Sequence, residues 1–206
     1  FYNAGRWLAR FHSINLHKET REISADGLSS ELKNKWIQAF ENQLEIYDEI
    51  NLLINNVISE DYAVGVSGLH KEYAPGNILC VNKKIYGVDF GSREHGCVLD
   101  DIAYFVIATL VLNNFPGHPF FKRIEYHSKE LKRFYDGYSF EYDIQKNIFK
   151  SHLFTFYLYK NLIRRISGQL LKADQYPKFF RYLIKAHIYN VYRKTKKMIF
   201  SFLNGK

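Results

Sequence analysis

Four polar side chains stand close together in the middle of this 206-residue chain: His70, Glu72, Asn77 and Asp89. Glu72 and Asp89 carry carboxylates, and Asn77 carries an amide. Oxygen donors of this kind suit a hard cation such as Mg²⁺, which is held by one or two carboxylates and keeps several of its waters. Apolar, strand-like runs flank them at residues 63–69, 78–81 and 85–88. Between the last two, Asn82-Lys83-Lys84 reads as a hairpin turn. Such a hairpin returns the chain so that Asn77 and Asp89 meet at one end of paired strands, with Glu72 nearby. The three groups then form an oxygen-ligand site.

The order and spacing of these residues carry a further reading. His70, Glu72, Asn77 five positions after Glu72, and Asp89-Phe90-Gly91 follow the kinase pattern H-R-D-x-x-x-x-N followed by D-F-G. The run Pro75-Gly76-Asn77-Ile78-Leu79 resembles more closely the aminoglycoside phosphotransferase and choline kinase family, whose members read H-G-D-x-x-P-x-N-I-L. Three other segments are similar to motifs of that family. Asp100-Asp101-Ile102-Ala103 resembles its D-[LI]-A, Leu8-Ala9-Arg10-Phe11-His12 its L-A-x-x-H helix, and Phe134-Tyr135-Asp136-Gly137-Tyr138 its F-x-x-G-Y. The resemblance runs from Phe1 to about Tyr138. One position departs from it: Glu72 stands where the family has its catalytic Asp.

The resemblance implies roles. Asn77 and Asp89 would ligate Mg²⁺, and Glu72 would orient the attacking hydroxyl and take its proton. His70 would pack beneath the loop and hydrogen-bond backbone. Asp101 would hold the backbone of the same loop, a scaffolding role outside the chemistry. ATP and Mg²⁺ are the implied cofactors. The expected activity is transfer of the γ-phosphate to a hydroxyl of a small molecule: a sugar, a glycan precursor or an amino alcohol. Because Glu is one methylene longer than Asp, a pseudokinase-like binding or scaffold module with little turnover stands as the alternative.

The elements that must position these residues are mostly helical. Residues 1–16 read as a helix, with Trp7, Leu8 and Phe11 on one face. His12 near its end reads as structural. Residues 18–29 read as a polar loop. Residues 30–59 read as one long helix with Ser29 or Ser30 as N-cap and Trp36, Phe40, Leu44 and Tyr47 as its apolar stripe. Residues 99–112 form a strongly apolar helix capped by Asp100. A break follows at 113–119, then helices over 128–138, over 143–167 closed by Gly168, and over 176–202 with Pro177 in the first turn. The expected fold is α+β and mostly helical: the large, C-terminal lobe of a protein-kinase-like fold, with a β-hairpin unit carrying the catalytic loop. The chain, residues 1–206, contains no Gly-rich loop followed by a Val-Ala-x-Lys strand. It opens directly on a helical pattern at Phe1, and so reads as a fragment whose small ATP-cradling lobe is missing.

Composition bounds the partners. With 47% hydrophobic and 24% charged residues, the chain can build a core. Cys80 and Cys97 make no disulfide framework and no metal pattern, so a reducing cytoplasm is the expected compartment. The longest apolar run, 102–112, is too short to span a bilayer. The net charge is +8, with the excess beyond Phe140, where Lys and Arg far outnumber Glu141, Asp143 and Asp174. This excess either attracts anions or follows from a composition rich in Lys, Asn and Ile. It opposes a polycationic acceptor and fits a neutral or anionic one. No nucleic-acid partner is expected. A weak contact with an anionic membrane surface is expected through the C-terminal helix, where Arg193, Lys194, Lys196 and Lys197 neighbour Ile199, Phe200 and Phe202.

Overall fold

The computed structural model describes residues 1–14, 16–20, 23–60, 62, 64–91, 94–112, 129–144 and 146–203. The expected break at 113–119 lies outside these residues. The described chain is mostly helical with a small β component. Helix α1 (Tyr2–Ile14) is followed by strand β1 (Leu16–Thr20) and by three helices, α2 (Ala25–Ser30), α3 (Asn34–Ile37) and α4 (Gln43–Ile58). Strands β2 (Gly65–Gly68), β3 (Ile78–Val81), β4 (Lys84–Gly87) and β5 (His95–Cys97) come next. Four α-helices follow among the described residues: α5 (Val98–Leu112), α6 (Lys129–Glu141), α7 (His152–Ala173) and α8 (Lys178–Leu203). Among the described residues no helix is long and apolar enough to cross a membrane.

The core is built on α5 and α7. Helix α5 is apolar on nearly every side, and Ile102, Ala103, Val106 and Leu110 are fully enclosed. Helix α7 packs against α5, α4 and α8, burying Leu158, Leu162, Ile163 and Ile166. Helices α1 and α6 meet more closely than side chains would allow. A Cβ on Gly5 would lie 2.1 Å from the Phe134 carbonyl oxygen, and one on Gly137 would lie 2.1 Å from the Tyr2 carbonyl oxygen. Two glycines facing each other's backbone thus set the helix spacing.

The strands form two units. β1, β2 and β5 make an antiparallel sheet in that order. β3 and β4 form a hairpin in register from Ile78↔Gly87 to Val81↔Lys84. Its turn has two residues, Asn82 and Lys83, with φ of 49° and 64°. Positive φ at both positions is the I′ geometry that matches strand twist. Lys84, expected in the turn, opens β4 instead.

Several expectations need correction. Residues 18–29 are not loop throughout: β1 pairs with β2, Leu16 opposite Ser67, and α2 follows. Residues 30–59 are not one helix, because the backbone turns extended at Lys33 (ψ 121°) and leaves helical geometry again at Asn42 (ψ 54°). Ser29 and Ser30 end α2, whose N-cap is Ser24, with Oγ accepting from Gly27 N–H at 3.1 Å; Lys33 and Asn42 stand at the N-cap positions of α3 and α4 without a side-chain cap bond. Of the expected stripe, Phe40 is buried and Trp36 packs against the core, whereas Leu44 and Tyr47 are exposed; the buried face of α4 is Ile46, Ile50, Leu53, Ile54 and Val57. Helix α7 starts after Ser151, whose Oγ accepts from Phe154 N–H at 3.1 Å. It runs past Gly168 to Ala173, since buried positions recur at Leu170 and Ala173 and one exposed glycine does not break a packed helix. Asp100 is no cap. It lies within the first turn of α5 and faces α7.

Candidate functional site

The loop from His70 to Asn77 is fixed by one carboxylate. Asp101, in the first turn of α5 and 1% exposed, accepts from the backbone N–H of His70 at 2.5 Å through Oδ2 and from that of Lys71 at 2.7 Å through Oδ1. Both bonds are charge-assisted and shielded from water, which makes them strong. Oδ2 also lies 3.1 Å from His12 Nε2, and His12 Nδ1 lies 2.7 Å from the Tyr138 hydroxyl. A carboxylate can only accept, so Nε2 carries the N–H; a neutral ring then accepts the Tyr138 O–H at Nδ1. Burial holds the Tyr138 hydroxyl well above its ordinary pKa, which keeps that proton in place. Helices α1, α5 and α6 therefore converge on the loop through a buried chain of hydrogen bonds.

The far side of the loop is tied to the strand end. The Gly91 N–H donates to the His70 carbonyl at 2.9 Å, and a Cβ on Gly91 would lie 2.9 Å from Lys71 Cβ. Lys71 and Asp89 both have left-handed φ, 66° and 58°. Such values in non-glycine residues hold only where surrounding contacts fix them. The short 3₁₀ turn Pro75–Asn77 delivers Asn77 to the start of β3. Its carbonyl accepts from Val88 N–H at 3.0 Å, so Asn77 and Asp89 emerge at the same end of the hairpin. The Asn77 Nδ2 donates to the Glu72 carbonyl at 2.9 Å. One of the two side-chain N–H groups is spent on the loop, and Oδ1 remains an oxygen donor.

Glu72 faces a cleft of about 510 Å³ whose lining includes Trp36, Lys71, Gly91 and Arg164. Asn77 and Asp89 do not line this cleft. Arg164 of α7 places Nη2 3.8 Å from Glu72 Oε1 and donates from Nη1 to the Lys71 carbonyl at 3.3 Å. Its guanidinium lies over the Tyr104 ring at 5.1 Å and the Trp36 ring at 6.0 Å. In the wall of the same cleft, Lys160 binds Glu31 at 2.7 Å and Asp100 at 3.0 Å. Asn161 Nδ2 donates to Asp100 Oδ1 at 2.8 Å, and Lys71 Nζ lies 3.4 Å from Oδ2. Burial pushes the Asp100 carboxyl up, but Lys160 and Lys71 draw it further down, to about 2. Burial likewise opposes the Lys160 ammonium, and Asp100 and Glu31 more than offset it, leaving its pKa above the ordinary lysine value. Sequence reasoning missed Lys160 and Arg164. Their signal is three polar side chains, Lys160, Asn161 and Arg164, at helical spacing in an otherwise apolar segment.

His70 differs from its expected role. Its backbone serves the loop, but its ring nitrogens have no hydrogen-bond partner among the described residues. Phe90 stacks on the ring at 4.4 Å, and Trp7, Phe11 and Tyr73 enclose its edges. Burial lowers the His70 pKa, so the neutral form is favoured. Trp7 also supports the hairpin: a Cβ on Gly87 would fall 2.3 Å from its indole, so only glycine allows this contact.

No family model and no curated protein matches this chain. The chemistry of the site rests on its own geometry. Among the described residues there is no group of three or more His, Cys, Asp or Glu poised to hold a metal ion. One amide oxygen and one carboxylate fit Mg²⁺ all the same, since that ion completes its shell with water and phosphate oxygens.

Proposed function

We propose that this chain is the large lobe of a phosphotransferase resembling the aminoglycoside phosphotransferase and choline kinase family, acting with ATP and Mg²⁺ on a small-molecule hydroxyl. The carrying observation is the clamp of Asp101 on the His70 and Lys71 N–H groups, combined with the Asn77 Nδ2 bond to the Glu72 carbonyl. These bonds join motif residues separated by about thirty positions into one rigid loop, the positioning that phosphoryl transfer demands of a protein.

In this reading Glu72, in the cleft, hydrogen-bonds the acceptor hydroxyl and takes its proton as the oxygen attacks the γ-phosphorus of ATP and ADP departs. Asn77 Oδ1 and the Asp89 carboxylate would hold Mg²⁺, which would supply positive charge against the phosphates. The Asp101 clamp keeps the loop from moving during the step. Arg164 supports a neutral or anionic acceptor such as a sugar or glycan precursor, and opposes a polycation. Trp36 offers an aromatic face at the same cleft.

A second reading, a pseudokinase-like binding module, draws on Arg164 Nη2 standing 3.8 Å from a Glu that replaces the family's Asp. One substitution separates the two. In an active enzyme whose loop is set for the longer side chain, Glu72→Asp in the full-length protein lowers turnover, by up to about a hundredfold for a displacement near an ångström. Glu72→Gln also lowers it severely while nucleotide binding persists. A rise in turnover on Glu72→Asp supports the binding-module reading instead.

A further inference from the structure

Helix α8 has two apolar faces where its core packing requires one. Ile188, Val191, Tyr192 and Ile199 turn inward and are buried. In the first turns, Phe179, Phe180, Tyr182 and Leu183 are 71%, 57%, 75% and 51% exposed. At 100° per residue Phe179, Tyr182 and Leu183 fall on the half of the helix opposite Ile184 and Ile188, and Phe180 lies on its flank. Tyr176, just before α8, and Leu171, near the end of α7, are 52% and 54% exposed as well. Exposed side chains of this size, crowded at one helix end, mark an interaction surface.

The charge around these side chains is one-sided. Lys172, Lys178, Arg181 and Lys185 border them, and Asp174 is the single acid beyond Asp143 in the whole chain. Asp174 binds Lys185 at 2.8 Å and lies 3.9 Å from Arg181. Beside this surface, a cleft of about 760 Å³ is lined by Lys178, Arg181, Lys185 and Arg193. Glu41 and Glu45 face them, and Glu45 is taken up by Lys196 at 2.8 Å.

We infer that the end of α7 and the first half of α8 form a docking face for an anionic lipid bilayer. Phenyl, phenol and leucine side chains on a convex helix enter the boundary between headgroups and acyl chains. Lysine and arginine stems lie along that boundary with their charges among the headgroup phosphates. The lysine content separates this face from a protein interface, whose core is depleted in lysine. The face lies N-terminal to the stretch that charge alone marks, Arg193 to Lys197, because Val191, Tyr192 and Ile199 there are already in the core.

The test is co-sedimentation of the protein with vesicles of phosphatidylcholine alone and of phosphatidylcholine mixed with phosphatidylglycerol. The expected result is binding to the mixed vesicles that weakens with added salt, and binding to neutral vesicles at least about tenfold weaker. Phe179→Ser with Phe180→Ser should reduce binding to mixed vesicles about tenfold or more. Its thermal melt should not fall, since both rings are exposed. Lys172→Gln with Lys178→Gln should weaken binding several-fold and flatten its salt dependence. Equal binding to both vesicle types, no binding to either, or binding untouched by the Phe179 and Phe180 changes overturns the proposal. So does self-association by sedimentation velocity that the Phe variant abolishes while vesicle binding is absent.

Discussion

Asp100 and Asp101 are neighbours in sequence and do different work. Asp101 turns toward the loop and meets two backbone N–H groups. Asp100 turns toward α7 and meets Lys160 and Asn161. The sequence motif pointed to Asp101 as scaffold, and in the structure its two oxygens accept from the loop backbone. It marked Asp100 as a helix cap, because the cation that Asp100 meets lies sixty residues away and leaves no local trace. That ion pair makes a pH prediction. The Asp100 carboxyl sits at about 2 when folded, below the ordinary 3.8, so its contribution to stability is complete above about pH 4 and fades as the pH falls toward 2. Urea unfolding between pH 5 and 2 should show wild type losing about 2 kcal/mol more than Asp100→Asn over that interval. Lys160 is shifted upward, so its contribution is complete below the ordinary lysine pKa and is lost only as pH rises through the higher folded value. The pair is thus intact across the neutral range.

At the scale of elements, the two glycines between α1 and α6 and the glycine in α7 make opposite predictions. Gly137→Ala places a methyl 2.1 Å from the Tyr2 carbonyl oxygen, so the helices must separate. Loss of about 1–3 kcal/mol is expected. Gly168→Ala meets nothing within 4 Å and sits inside a helix, so a gain of about 0.5–1 kcal/mol is expected. Thermal melts of the two variants check both signs. Elements whose information is local were legible in sequence. The β3–β4 hairpin follows from two apolar runs and Asn82, and α5 and α8 follow from uninterrupted helical patterns. β1 was not legible, because its polar sequence becomes a strand only by pairing with β2, with Leu16 opposite Ser67. The division of 30–59 was not legible either, since the breaks at Lys33 and Asn42 carry no proline or glycine. Arg164 escaped for another reason: its partners, Lys71 and Glu72, lie more than ninety residues back along the chain.

For the whole molecule, the parts converge on one loop. α1 brings His12 and Trp7, α5 brings Asp101, α6 brings Tyr138, α7 brings Arg164, and the hairpin brings Asn77 and Asp89. The glycine spacing of α1 and α6 and the ion pairs of α5 and α7 hold these elements in register around residues 70–77. What such an assembly does is tested most directly by following the γ-phosphate of labelled ATP. In the full-length protein with Mg²⁺ and a panel of neutral and anionic hydroxyl acceptors, label should pass to an acceptor. Asp89→Ala should abolish the transfer while lowering the thermal melt only by the small cost of Ala at a left-handed φ of 58°, because Asp89 is exposed and outside the core. Transfer that survives Asp89→Ala at the wild-type rate, or its absence from the wild-type protein across the panel, would contradict the account.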